Sequence, residues 1–361
     1  MKLLLNCAVT LKNIVVFCLI LSAFVLMDPL TAEDSTEKRG EMKKLEDLQK
    51  AGNWRELREG AEKLLDAMSS DDPRAGSVWN LLCAGMFRGN EVHQYDAAFE
   101  KYAAGKFARN IRFFTQAAWA EVPGFGIMLD NKFKRGPNRG NAGRDASSYE
   151  RDRVQVLALM AALIPQAEKD VTLRSAFFLN MSKLLLQNRN SGSSYKLQHL
   201  TDLRKLPDYE TDEGRISSVS RPPVAPDGSP VFYRLPASWK DAANDGERLR
   251  FAVDRADCEE ALRLWADFLC GQFDFLTANL QLREEYYRTP AMKQYLYDLK
   301  DNETISELAD GVRRITLPDE FNYIEMYKKM GQQCYFRLGE IYAARMQFEK
   351  AAAYFQKSPV P

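Results

Sequence analysis

Tyr335-Phe336-Arg337-Leu338-Gly339-Glu340-Ile341-Tyr342, followed by Phe348-Glu349-Lys350-Ala351 and Phe355, decides the fold. Large and small residues recur there at the spacing of a tetratricopeptide (TPR) helical hairpin. Gly339 and Ala351 are small enough to let two antiparallel helices approach closely. Leu338, Tyr342 and Phe355 then fill the groove between them, and Tyr335 is a further large residue of the pattern. These six residues are the candidate repeat and protein-contact positions. One such unit cannot bury its own faces, so the pattern implies neighbours on at least one side. The text stops at Pro361, where a further repeat would begin, which predicts either a longer parent or a last helix with an open face.

Moving upstream, the same kind of pattern returns in weaker form. Gly52-Asn53-Trp54 followed by Leu57, Ala61 and Leu64 is a degenerate echo, and Gly52 separates two helices after a polar leader at 33–41. Asp71-Asp72-Pro73 stops the second. Helical composition continues from Val78 to Met86, Tyr95 to Ala104 and Phe107 to Val122. It resumes at Tyr149–Ile164 and again at Val171–Gln187, with Asp170 as cap. A short helix is predicted near Tyr195–Leu206. Near the end, Leu262, Trp265, Phe268 and Leu269 form one stripe, and Ile305, Leu308 and Val312 read as another. Pro318-Asp319-Glu320 suits a first turn.

Two stretches interrupt the helices. Residues 123–148 hold Gly124, Gly126, Gly136, Gly140 and Gly143 with Lys132, Lys134, Arg135, Arg139 and Arg144 between them, which predicts a long basic loop. Five cations on one loop are a candidate grip for an acidic glycan or phosphate; an exposed connection kept soluble by charge is the simpler alternative. Residues 211–230 carry four prolines, Pro222, Pro223, Pro226 and Pro230, and the stretch 211–240 reads as a linker. Val231-Phe232-Tyr233 is its one candidate β segment. The expected fold is therefore all-α: a TPR-like, α-solenoid-like array of helical hairpins with little or no β. Its expected parts are residues 33–210, the linker 211–240, and a C-terminal helical region 241–361.

The N-terminus is of another kind. Lys2 and Lys12 precede an apolar run from Ile14 to Leu26, then Asp28-Pro29-Leu30-Thr31-Ala32. This is the pattern of a secretory signal, with cleavage placed after Ala32. The run is shorter than the ~20 residues of a spanning helix. An uncleaved segment is the alternative, and it is the one expected route to a membrane. The expected location is the periplasm, the cell envelope or outside the cell.

Charge is balanced, with 50 basic and 50 acidic residues. That argues against nucleic acid, which demands a basic excess. Beyond the signal the cysteines are Cys83, Cys258, Cys270 and Cys334, irregularly spaced and without a C-x-x-C, so neither zinc nor a redox motif is indicated. An oxidising compartment permits one bridge, and buried free thiols are the simpler reading. Only two histidines, His93 and His199, are present, with no metal-ligand companions nearby. There is no Gly-x-Ser-x-Gly elbow and no Walker loop. Acids such as Asp202, Asp208, Glu210, Asp212 and Glu213 leave a glycosidase-like pair as the enzymatic alternative. No catalytic residue, cofactor or metal is expected.

Several stretches resemble the N-terminal region of large bacterial alpha-2-macroglobulin-like proteins of the planctomycete type. They are Glu150-Arg151-Asp152-Arg153-Val154, Leu197-Gln198-His199-Leu200-Thr201-Asp202-Leu203, and Leu206-Pro207-Asp208-Tyr209-Glu210. Further along come Gly228-Ser229-Pro230-Val231-Phe232, Asn244-Asp245-Gly246-Glu247-Arg248, Leu299-Lys300-Asp301-Asn302-Glu303-Thr304-Ile305 and Leu317-Pro318-Asp319-Glu320-Phe321-Asn322-Tyr323-Ile324. The resemblance implies an exported, helical, repeat-like region that precedes macroglobulin domains in a protease-trapping protein. Its partners would be those domains or proteases. The chain has neither the Cys-Gly-Glu-Gln thioester tetrapeptide nor a run of sandwich strands, so protease trapping does not carry over to these residues. The expected function is a non-enzymatic scaffold for protein contacts. The alternatives are a carbohydrate-active enzyme or an anionic-glycan-binding module on the same scaffold.

Overall fold

The structure, a computed structural model, describes residues 36–119, 122–137, 143–189, 193–211, 223–274 and 298–359. The expected signal segment, Arg139, Asp212, Glu213 and Pro222 lie outside these residues.

The chain is mostly helical. Helix α1 (Thr36–Ala51) begins within the stretch read as a leader, and Gly52 turns the chain with φ +74° into α2 (Trp54–Ala67). Helix α3 (Ala75–Arg88) returns antiparallel to α2. Leu57, Ala61, Leu64 and Leu65 bury one face of α2. The close approach is made on α3: a Cβ on Gly85 would lie 2.9 Å from the Arg58 backbone nitrogen. Helix α4 (Tyr95–Ala98) runs on into a π-helical turn, Phe99–Lys106, and α5 (Ile111–Gln116) follows, capped by Asn110. Trp79, Tyr95, Phe99, Phe113, Phe114 and Trp119 form a ring cluster with centroids 5.3–6.1 Å apart. Such tilted and edge contacts add to area burial.

The region read as a basic loop is a sheet. Strands β1 (Phe125–Leu129), β2 (Lys132–Arg135), β3 (Arg144–Ser147) and β4 (Glu210–Thr211) are antiparallel in the order β2-β1-β3-β4. This corrects both the loop at 123–148 and the expectation of little or no β. The physical cause is local. Asp130 and Asn131 both take positive φ, 49° and 60°, as a two-residue hairpin turn needs. An apolar run, Phe125 to Leu129, precedes that turn, and Lys132, Phe133 and Lys134 alternate after it.

Helix α6 (Tyr149–Ala167) packs on α7 (Arg174–Leu186), with Asp170 Oδ1 accepting from the Thr172 and Leu173 amides ahead of α7. Only Ser194–Gln198 is helical in the next segment, as a 3-10 turn. The described part of the proline-rich stretch, from 223 on, lies against the body. Phe232 meets Phe273 and Phe321 at 5.6 and 4.8 Å, and Tyr233 is buried over Gly246. Val231, Phe232 and Tyr233 belong to no strand.

Helix α8 (Asp245–Ala256), capped by Asn244, packs against α7, and α9 (Glu259–Phe273) follows. A second correction comes next. Ile305 and Leu308 lie on β5 (Glu303–Leu308) and Val312 on β6 (Gly311–Thr316), an antiparallel hairpin rather than a helix. Gly311, at φ +135°, leaves the tight turn after Asp310. Helix α10 (Tyr323–Met330) lies against α9, and α11 (Tyr335–Ala344) pairs antiparallel with α12 (Phe348–Lys357). The buried side chains from Leu45 to Ala351 form one continuous apolar cluster.

Candidate interaction surface

The α11–α12 hairpin has two unlike faces. Inside, Leu338, Gly339, Tyr342 and Ala351 are buried. A Cβ on Gly339 would fall 2.5 Å from the Phe355 ring, so glycine is what lets α12 come down on α11. Tyr342 stacks on Tyr354 at 5.4 Å and Tyr335 meets the same ring at 5.5 Å.

A dense polar network holds this hairpin to the body. Gln347 Nε2 donates to the Leu299 carbonyl at 2.8 Å, and Lys350 reaches Asp301 at 3.2 Å. Arg345, almost wholly buried, donates to the Tyr323 hydroxyl at 2.7 Å, which in turn donates to Asp274 at 2.9 Å. Burial pushes the Tyr323 phenol well up, and the neighbouring Asp274 charge adds to it. The phenol therefore stays a neutral donor.

The outer face is open. Phe336 is 49% exposed, Phe348 65% and Phe355 39%, and the Phe336 and Phe355 rings touch at 5.5 Å. Three exposed phenylalanines on one two-helix unit form a concentration of apolar surface that soluble proteins use for contacts. Phe336 and Phe348 were missed in the sequence because the repeat pattern marks the interior. Their signal was simply an aromatic at positions facing away from the hairpin seam.

The basic set at 123–148 does not come together. Arg135 is buried and turned inward: Nη1 and Nη2 hold Asp152 at 2.8 and 2.9 Å, Nη2 reaches Asp96 at 2.6 Å, and the guanidinium stacks over Tyr95. Burial works against its charge, and the two carboxylates more than offset that. Period-two alternation puts Lys132 and Lys134 on the opposite face of edge strand β2, both exposed. Arg144 is exposed but engaged, and Arg139 lies outside the described residues. Among the described members of the set, Arg135 is therefore withdrawn from the face that Lys132 and Lys134 share.

No converging pair of acids is formed by the sequence-marked carboxylates that are described. Asp202 pairs with its neighbour Arg204 at 2.8 Å, and Glu210 faces Lys196 at 3.6 Å. The buried acids Asp245, Glu247 and Asp274 and the partly buried Glu150 each face an arginine. Glu150 sits between Arg153 and Arg189. Burial would raise its pKa, but the two guanidinium groups outweigh it and bring it down to about 2. His93 and His199 are both exposed. Among the described residues no three His, Cys, Asp or Glu side chains are grouped to hold a metal ion, and no helix is long and apolar enough to cross a membrane. Cys83, Cys258, Cys270 and Cys334 are all free thiols, and burial raises the pKa of Cys83 and Cys334.

Sequence stretches that lie far apart meet in these charge networks. Arg153 reaches Thr201 and Asp245, Glu150 holds Arg189, and Asp301 lies between Lys328 and Lys350. No protein-family model, curated protein or solved structure matches the chain.

Proposed function

We propose that the chain is a non-enzymatic, exported helical scaffold that works by protein contact, with the outer face of the α11–α12 hairpin as its docking surface. In this reading the helical pairs α2–α3, α7–α8 and α11–α12 are successive units of a TPR-like array, and the sheet at β1–β4 is an insertion between them. The observation that carries the reading is the contrast within one hairpin. Its interior is fully packed and tied to the body, while Phe336, Phe348 and Phe355 stand in solvent. The partner it fits is an amphipathic helix, since α12 already lies on α11 by fitting one aromatic over one small residue. The resemblance to alpha-2-macroglobulin-like proteins makes a macroglobulin-type neighbour, or the protease it restrains, the first partner to look for.

The carbohydrate-active alternative is less well supported. Each carboxylate with a displaced pKa is displaced downwards, and a glycosidase acid needs the reverse. The test is a photo-crosslinking residue placed at 336 in the full chain, expressed in its own cell envelope. A discrete adduct that maps to a helical segment of one partner, and disappears with Phe355→Asp, is the expected result. No adduct above that of a crosslinker at the exposed position Lys63 would refute the docking surface.

A further inference from the structure

Where α6, the segment after α7, residue 201 and the start of α8 meet, five charges alternate, Arg153, Arg189 and Asp245 buried and Glu150 and Arg248 partly so. Arg189 Nη2 donates to Glu150 at 2.7 and 2.8 Å, and Arg153 Nη2 donates to the same carboxylate at 2.6 Å. Arg153 Nη2 also lies 3.5 Å from Asp245, which accepts from Arg248 Nη1 at 3.0 Å and from the Thr201 hydroxyl. The order is thus arginine, acid, arginine, acid, arginine, with three positive charges against two negative. The next acid outward, Asp202, is half-exposed and already held by Arg204.

The arrangement leaves donors over as well as charge. Arg153 Nη1, Arg189 Nε and Arg248 Nε are all buried and have no hydrogen-bond partner among the described residues. Arg153 and Arg189 are themselves only 1% and 3% exposed. Burial lowers the pKa of Arg189 and Arg248, and the like charge of Arg153 lowers both further. A buried cation without a matching anion is costly, and a buried guanidinium N–H without an acceptor adds to that cost. A water molecule would supply the acceptor but not the charge.

We propose that this cluster binds one small monovalent anion, chloride, against Arg153 Nη1. A halide fits both deficits at once: it accepts several N–H donors and brings the net charge to zero. The near-complete burial of Arg153 and Arg189 excludes anything the size of a sugar acid. The ion would lock α6 to α8 across the long segment between them, so its role is to hold the scaffold rather than to take part in docking.

The direct test is anomalous diffraction from crystals of the full chain grown with sodium bromide in place of chloride. A bromide peak within hydrogen-bond reach of Arg153 Nη1 is expected. Density of water height there, with no anomalous signal, overturns the proposal. In solution, sodium chloride should raise Tm saturably, by about 3 °C, over sodium gluconate at equal ionic strength. Equal Tm in the two salts overturns it. Arg189→Gln removes the excess charge while leaving Arg153 both of its acids, so the chloride response should vanish; an undiminished response in that variant also counts against the site.

Discussion

The 123–148 sheet and the α11–α12 hairpin use glycine for the same purpose, yet only the second was readable. Gly339 admits the Phe355 ring, and Gly126 admits the Phe133 ring while its β1 backbone lies against the Lys134 carbonyl. In the hairpin, the small residue sits inside a helical period that names its partner. In the sheet, glycines and lysines mask strands only four or five residues long. The lesson is that glycine marks a close approach in either setting, and that the flanking period decides whether it is recognised.

The largest expected effect breaks the notion that the five cations of that segment are equivalent. Arg135→Met removes a buried guanidinium and leaves the largely buried Asp152 without it, and should cost about 3–5 kcal/mol of unfolding free energy in urea titrations. A loss below 1 kcal/mol would mean Arg135 is not the anchor of the sheet.

The two glycines make the next contrast. In Gly126→Ala the new methyl meets backbone at 2.5 Å, which cannot turn aside, so a loss of about 1–3 kcal/mol is expected. In Gly339→Ala it meets the far end of a half-exposed Phe355 ring, which can swing out. There the loss should be smaller, with a gain in exposed apolar surface measurable by dye binding. Equal losses would remove the distinction.

A pH titration separates the sheet from the neighbouring charge cluster. Glu150 has a folded pKa of about 2 against its ordinary 4.5. A depressed carboxylate contributes stability that is present above the unfolded value and is lost as pH falls through the folded one. Stability should therefore fall between about pH 4.5 and pH 2, and Glu150→Gln, less stable at pH 7, should show a shallower slope in that window. An unchanged slope would contradict the pairing.

The smallest effect is expected at Lys132→Ala and Lys134→Ala, each within about 0.5 kcal/mol, because both stand on the exposed face of an edge strand. Retention of the double variant on heparin should fall only as far as removal of two surface charges requires, and complete loss would revive the anion-binding reading.

Much of the helical framework was legible. The interior set Leu338, Gly339, Tyr342 and Ala351 and the α2 stripe follow from three- and four-residue spacing alone. The two β-hairpins were legible in their turns alone and not in their strands. Asp130-Asn131 is a two-residue turn between β1 and β2, and Ala309-Asp310, ahead of Gly311, is another. Ile305, Leu308 and Val312 were misread because a spacing of three and four also arises by chance in a short strand pair. The open aromatic face was only half legible: Phe355 was singled out for the interior, and Phe336 and Phe348 carry no period of their own. The five-membered charge chain was not legible, because Arg189 meets Glu150, and Asp245 meets Arg153, only through tertiary packing.

The docking face is tested most directly by its accessibility in place. Phe336→Cys, in a chain with Cys258→Ser to silence the thiol that is only half-buried among the described residues, can be labelled with a maleimide both purified and within intact envelopes. A partner on the α11–α12 face predicts fast labelling of the purified chain and at least tenfold slower labelling in the envelope, with a Lys63→Cys control unchanged. Equal rates at position 336 in the two settings would contradict it.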